Sequence, residues 1–135
     1  MKFLLDTSAL LVFYRKEPEV DRVLTLFEDS QNDFLLCAVS IAEFGRKLRE
    51  LGQPQEEIER TIDLHLPLFT RVEPVDNKIA LASLRLIDRL IVRLPTIDSL
   101  IAATALAHEA CLVHKDKHMA AIPPEVLSTL NLAQD

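Results

Sequence analysis

The sequence predicts a three-layer α/β/α fold with a mostly parallel central sheet, formed by a single domain over residues 1–135. Short apolar segments of strand length alternate with longer segments whose apolar residues recur at helical spacing, which is the pattern of βαβ units. With only 2 glycines and 5% aromatic residues, the chain is poorly suited to a β-sandwich or barrel, which needs many tight turns. A length of 135 residues is sufficient to bury a core without disulfide bonds.

The first half of the chain contains two predicted strands and four predicted helices. Residues 2–5 form a short apolar segment that ends at an acid, which favours a buried parallel strand, and a helix begins at Thr7 or Ser8. Further helices are expected at residues 19–29, after the second strand at residues 34–39, and at residues 55–66. Gly52 ends the helix that follows the second strand, and Pro67 limits the helix at residues 55–66.

The second half continues the alternation. Residues 70–75 are predicted to form a strand at the sheet edge, because Pro74 lacks the N–H that a central strand needs. A long helix is expected over residues 76–92, and Pro95 separates it from a Leu-, Ile- and Ala-rich helix at residues 98–108 that should be buried almost all round. Residues 111–114 predict a strand, and residues 126–132 a further edge strand.

Four acids stand out, and each has a simple structural explanation. Asp6 could cap the helix that follows the first strand, and Asp98 suits the first turn of a helix. Ser40 and Glu43 match the S-x-x-E capping box, and Asp116 fits a solvated turn.

Taken together, the same four acids predict a metal site. Asp6 and Asp116 follow strands, and Glu43 and Asp98 lie near helix starts, so the fold brings all four toward the carboxyl edge of the sheet, where α/β folds bind ligands. Four converging carboxylates repel one another, and a divalent cation relieves that repulsion. Oxygen ligands suit Mg²⁺ or Mn²⁺, and these ions suit phosphate-ester chemistry.

Four sequence motifs of this chain are similar to motifs of a known family and occur in the same order. They are LLDTSALL at residues 4–11, SIAEFGRKL at 40–48, TIDSLIAATAL at 96–106 and LVHKDKHM at 112–119. The set resembles the PIN domain, and most closely the VapC-type toxins of bacterial toxin–antitoxin pairs. The resemblance covers essentially the whole chain.

The resemblance implies an endoribonuclease that depends on Mg²⁺ or Mn²⁺, in which a metal-activated water attacks an RNA phosphodiester. It implies metal-binding carboxylates at Asp6, Glu43, Asp98 and Asp116, assistance from the hydroxyl of Thr7 or Ser8, a homodimer, and a protein antitoxin as partner. In one departure from the family, His118 occupies a position where many members carry a further acid. His118 could bind a softer metal, contact RNA phosphate or have no role.

The net charge of −6 argues against a nucleic-acid substrate, although the four site acids and bound cations account for part of it. RNA contacts are expected from basic residues on two predicted helices; the alternative is that these residues only form solvated helix faces. They are Arg46, Lys47 and Arg49 after Glu43, and Arg85, Arg89 and Arg93 at four-residue spacing.

Two other functions fit part of the pattern. A catalytically silent PIN-like binding module is one, although the four acids are intact. A phospho-acceptor receiver domain is the other, but only Asp6 follows the first strand, where receivers place two acids. The absence of a long apolar segment and of a cleavable leader predicts a cytoplasmic protein that does not bind membranes. Cys37 and Cys111 are expected to be free, buried thiols.

Overall fold

The computed structural model describes residues 1–134 and shows a central five-stranded sheet. Its strands lie in the order β3-β2-β1-β4-β5, and every neighbouring pair is parallel. This arrangement agrees with the mostly parallel sheet predicted from the sequence. The strands are β1 (Lys2–Leu5), β2 (Asp33–Cys37), β3 (Arg71–Glu73), β4 (Cys111–His114) and β5 (Thr129–Asn131).

Helices connect the strands and cover both faces of the sheet, as the predicted three-layer fold requires. A short 3₁₀ turn, Leu66–Leu68, follows the fourth helix. No helix within residues 1–134 is long and apolar enough to cross a membrane. The helices are α1 (Thr7–Arg15), α2 (Val20–Glu28), α3 (Ala38–Glu50), α4 (Gln55–His65), α5 (Asn77–Asp88), α6 (Thr96–Ala107) and α7 (Lys117–Ala120).

The alternation of side chains along each strand divides the core into two halves. Leu4, Leu35 and Leu112 point to one face, where they pack with the apolar residues of α5 and α6. Their neighbours along the strands, such as Leu5 and Leu36, point to the other face and pack with α1 to α4. Both faces of β1, β2 and β4 are therefore buried, which explains why these strands are continuous apolar runs.

The boundary between the second strand and the third helix differs from the prediction. The strand was expected to run to residue 39, but it ends at Cys37, and Ala38 and Val39 already belong to α3. A short apolar run does not by itself distinguish a strand from the first turn of a buried helix. The helix consequently begins before Ser40.

The predicted helix over residues 76–92 is too long at its carboxyl end. Helix α5 ends at Asp88, and residues 89–95 form the turn that leads into α6. Because α5 and α6 pack against each other as consecutive helices, the chain has to reverse its direction before Pro95.

The strand order places a topological switch point at the centre of the sheet. The chain moves outward from β1 through β2 to β3, and then returns to the other side of β1 to form β4 and β5. Ligands of open α/β sheets bind where the order reverses, beyond the carboxyl ends of the strands. Receiver domains have the order 2-1-3-4-5, so the receiver alternative does not fit this sheet.

Candidate functional site

Asp6 lies at the switch point, directly after β1. Its side chain is buried, and its Oδ1 accepts hydrogen bonds from the Ala9 N–H (2.9 Å) and from the Ser8 hydroxyl (2.6 Å). The bond from the Ala9 N–H caps α1, which confirms the expectation that Asp6 caps this helix. Burial, followed by the charges of Asp116 and Asp98, raises the pKa of Asp6 to about 7 although its two hydrogen bonds oppose the rise.

The Ser8 hydroxyl joins the ends of the two central strands. It donates to Asp6 and accepts a hydrogen bond from the Lys115 N–H at 2.8 Å, immediately after β4. The Asp6 N–H donates to the Val113 carbonyl at 3.0 Å, which adds a second link between the same strand ends. Ser8 therefore fixes the position of Asp6 relative to the loop that carries Asp116.

Glu43 lies on α3 and is held by a residue of α1. Its Oε1 accepts a hydrogen bond of 2.5 Å from the Thr7 hydroxyl, and the Ser40 hydroxyl lies 3.1 Å from that same oxygen of Thr7. The capping-box interpretation of Ser40 and Glu43 is wrong, because α3 begins at Ala38 and Ser40 is already a buried helical residue. The early helix start moves Glu43 into the second turn, where it faces α1.

Asp98 and Asp116 approach each other from α6 and from the loop after β4. Asp98 lies in the first turn of α6, and Asp116 is the residue that caps α7. Asp98, Asp116 and His118 each offer one ligand atom within 4.8 Å of the others. Burial, and then the charges of Asp116 and Glu43, raise the pKa of Asp98 to about 6, while His118 opposes the rise.

Four carboxylates form an acidic cluster, namely those of Asp6, Glu43, Asp98 and Asp116. The structure brings all four to the carboxyl edge of the sheet, where charges on neighbouring members raise the pKa values of Asp6 and Asp98. Oxygen donors with mutual repulsion fit a hard divalent cation.

One histidine at the site was not identified from the sequence. His114 ends β4, is fully buried, and accepts a hydrogen bond on Nδ1 from the Asp116 N–H at 3.1 Å. Burial lowers the pKa of His114, which favours the neutral ring that this bond requires. A single histidine at the end of an apolar strand gave no signal, since the contact with Asp116 depends on the turn after β4.

The basic residues near the cluster divide into two groups. Arg46 and Lys47 of α3 line a cavity of about 290 Å³ together with Thr7 and Glu43, beside the acidic cluster. Lys115, the residue before Asp116, instead pairs with Glu17 (2.9 Å) and Glu19 (3.0 Å) between α1 and α2.

Arg49, also on α3, donates to the side chain of Gln55, and the remaining predicted RNA contacts lie on or after α5. Arg85 lines a larger cavity, about 560 Å³, together with Ala107 and His108, at the opposite end of α6 from Asp98. That end is about 14 Å along the helix axis from Asp98. Arg89 caps the carboxyl end of α5, and Arg93 lies in the turn beyond, so the expected helical stripe of arginines ends with Arg89.

Solved structures show the same fold at low sequence identity. VapBC-1 from nontypeable Haemophilus influenzae matches with a TM-score of 0.77 and 21% identity, over 99% of this chain and 100% of that chain. FitAcB from Neisseria gonorrhoeae matches with a TM-score of 0.76 and 23% identity, over 100% of both chains. VapBC2 from Rickettsia felis, bound to a DNA fragment from its promoter, matches with a TM-score of 0.75 and 20% identity, over 97% of this chain and 98% of that chain.

The family of this chain is identified by comparing its sequence with models of protein families. None of the curated proteins matches this chain. The model of the PIN domain family matches residues 3–123, a range that contains all four acids and nearly the whole sheet. This chain belongs to the PIN domain family.

Proposed function

We propose that this chain is a divalent-metal-dependent endoribonuclease and acts as the toxin of a toxin–antitoxin pair. PIN domains are generally nucleases, and they typically use divalent metals. The observation that carries the proposal is the acidic cluster, in which two carboxylates have pKa values raised by burial and by neighbouring acids. Carboxylates held at such a cost in free energy indicate a cation supplied from outside the chain.

Each residue has a distinct role in this proposal. Asp98 and Asp116 hold the cation, and Asp6 and Glu43 complete its surroundings, with Ser8 and Thr7 orienting the two carboxylates. A divalent cation supplies positive charge to the scissile phosphate and lowers the pKa of a bound water. Arg46 and Lys47 bind flanking phosphates in the adjacent cavity.

The toxin role draws on the structural neighbours, which are named as toxin–antitoxin complexes. An apolar cavity of about 400 Å³ between α1, α2 and α4 supports a protein partner, which we propose is an antitoxin. Phe13, Tyr14, Val20 and Leu24 are among its lining residues.

A homodimer is also part of the proposal. Leu81, Leu84 and Ile87 of α5 and Ile91 of the following turn are exposed apolar side chains, and together they form a surface that a second copy would cover. Light scattering of the purified chain measures the mass, and a monomeric mass over the whole concentration range would contradict the homodimer.

The proposal is tested by incubating total RNA with the chain, purified free of any bound partner protein, in Mg²⁺, Mn²⁺ or EDTA. Discrete fragments are expected with either metal and none with EDTA, and their ends should be a 5′-phosphate and a 3′-hydroxyl. Asp98→Asn should abolish cleavage. Asp21→Asn is the matched control, because Asp21 is a first-turn acid of α2 outside the cluster.

Two results would contradict the proposed enzyme. Cleavage that survives EDTA or Asp98→Asn would exclude this site as the source of activity. RNA binding without cleavage, in a chain whose circular dichroism matches that of a folded α/β protein, would favour the silent binding module.

A further inference from the structure

We propose that His118 is a ligand of the metal held by Asp98 and Asp116, and that it makes the site prefer Mn²⁺ to Mg²⁺. This inference rests on the proposed function, since it concerns the same site. It concerns the position two residues after Asp116, where many members of the family carry a further acid and this chain carries an imidazole.

The side chain of His118 lies where a third ligand is needed. Its Nδ1 is 3.3 Å from Asp116 Oδ1 and 3.7 Å from Asp98 Oδ2. Ligand atoms bound at about 2.1 Å stand about 3.0 Å apart at right angles and about 3.4 Å apart in a tetrahedron. The observed separations fit ligands of a single ion with little movement of the half-exposed ring.

The backbone fixes this arrangement. Asp116 caps α7 by accepting the His118 N–H at 2.6 Å, so the two side chains belong to one tight turn. Met119, the next residue, is fully buried and anchors that turn in the core against α6. Because Asp98 comes from α6, the same packing that holds Met119 also sets the distance between Asp98 and His118.

Asp6 supplies a separate indication that a cation belongs here. Its side chain is almost completely buried, and both of its hydrogen bonds end on Oδ1, so Oδ2 has no hydrogen-bond donor among residues 1–134. After burial, the charges of Asp116 and Asp98 raise the pKa of this carboxylate, so both acids lie near it. A carboxylate in so buried a side chain, with one oxygen that lacks a donor, is costly unless a cation completes it.

The chemistry of the donors sets the metal preference. Mg²⁺ favours oxygen ligands and retains its waters, whereas imidazole nitrogen suits transition metals. Two carboxylates and one imidazole form a mixed oxygen and nitrogen set, which suits Mn²⁺ better than Mg²⁺. If His118 served only as a counter-charge for the two acids, it would confer no such preference.

Electron spin echo spectroscopy of Mn²⁺ bound to the metal-stripped full-length chain tests the ligand directly. A directly bound imidazole gives ¹⁴N modulation, which we expect in the wild type and not in His118→Asp. His108→Asn is the matched control, because His108 is a partly exposed histidine that pairs with Glu73 instead. This control should keep the modulation.

Calorimetric titration with Mn²⁺ and Mg²⁺ measures the preference. The ratio of Mn²⁺ to Mg²⁺ affinity should fall at least about tenfold in His118→Asp, since the substitution replaces the nitrogen ligand by an oxygen. His118→Asn serves as a second variant if the added charge of Asp disturbs the fold, as measured by circular dichroism.

The possible failures are distinguishable. Bound Mn²⁺ without ¹⁴N modulation, or modulation that persists in both His118 variants, would overturn the inference and leave the metal site standing. No binding of Mn²⁺ to the folded wild-type chain would overturn the inference together with the metal site of the proposed function.

Discussion

Asp6 and Glu73 are both buried carboxylates at the carboxyl ends of strands, but different groups surround them. Glu73 of β3 pairs with Arg71 at 3.1 Å and with His108 at 3.2 Å. Asp6 forms no ion pair with any residue of 1–134; a hydroxyl, an amide and other acids surround it. Ion pairs therefore compensate the buried charge of Glu73, whereas the buried charge of Asp6 has no such partner among residues 1–134.

The difference supports the proposed role of Asp6 in metal binding. Burying a charge costs free energy, and a structural carboxylate recovers part of this cost from nearby cations, as Glu73 does. Lys115 is close enough in sequence to serve Asp116, yet it pairs with Glu17 and Glu19. The cationic side chain of Lys115 is therefore engaged elsewhere, which supports the proposed external cation for the acidic cluster.

The largest expected effect is on catalysis. Asp6→Asn should reduce metal-dependent RNA cleavage at least about 100-fold, because it removes a charge that faces the proposed cation. Asp76→Asn should leave the rate unchanged, since Asp76 caps α5 with the same geometry but lies outside the cluster. Quantitative cleavage of one labelled RNA compares the two variants. Equal losses in both would mean that Asp6 acts only as a helix cap.

The second effect is on stability. Removing the charge of Asp6 and removing the charge of Glu73 should change the free energy of unfolding in opposite directions. The rise in the Asp6 pKa from 3.8 to about 7 corresponds to roughly 4 kcal/mol in favour of the neutral form. After the cost of burying an amide, Asp6→Asn should stabilise the metal-free chain at pH 8 by about 2 kcal/mol. Glu73→Gln should destabilise it by about 1 kcal/mol, because Arg71 is largely exposed and the pair is screened.

Denaturant unfolding in EDTA measures both changes. The control is the same pair of variants in excess Mg²⁺, where Asp6→Asn should lose its advantage, because metal binding stabilises the wild type. A destabilised Asp6→Asn chain in EDTA would show that the carboxylate is structurally compensated after all.

The third effect is a dependence of stability on pH. A carboxylate whose pKa is raised by folding binds more protons in the folded state, so its contribution is present below its unfolded value and is lost as pH rises. The pKa values of Asp6 and Asp98 are raised from 3.8 to about 7 and about 6. The free energy of unfolding of the metal-free chain should therefore fall between about pH 4 and pH 7.

Thermal unfolding of the wild type and of Asp6→Asn across this range isolates the contribution of Asp6. The difference in stability between the two chains should grow by roughly 2–3 kcal/mol from pH 5 to pH 8. A constant difference over that range would contradict the raised pKa of Asp6.

The smallest effect concerns RNA affinity. Arg46 lines the cavity beside Glu43, and Arg46→Gln should weaken RNA binding about threefold to tenfold by removing one phosphate contact. Arg60→Gln, on the exposed face of α4, is the control and should have no effect. Binding of a labelled RNA by the Asp98→Asn chain at several salt concentrations checks this prediction. An equal effect from Arg60 would indicate a diffuse electrostatic attraction.

Some features were predictable because they depend on local sequence. The bounds of β1 and β4 follow from short apolar runs that stop at polar residues, and α6 is a continuous apolar helix behind Pro95. The positions of Asp6 and Asp116 after these strands were apparent for the same reason. The edge position of β3 followed from Pro74, which lacks a backbone N–H.

Other features depend on contacts between distant segments and have no local signal. The bond between Thr7 and Glu43 joins residues 36 positions apart, and it replaced the capping box that the local pattern indicated. The end of α5 is set by the reversal of the chain before α6, which periodicity does not report. The contact of Glu73 with His108 joins an edge strand to the end of α6 and could not be anticipated.

The pairing of β1 with β4 determines when the site can exist during synthesis. Asp6 and Asp116 are joined by strands and by a Ser8 to Lys115 hydrogen bond that close a loop of more than 100 residues. Such distant contacts form late, because the intervening chain has to be made and ordered first. A nascent chain that still lacks residues 111–118 carries Asp6, Glu43 and Asp98 without Asp116. The complete acidic cluster can therefore form only after β4 has paired with β1.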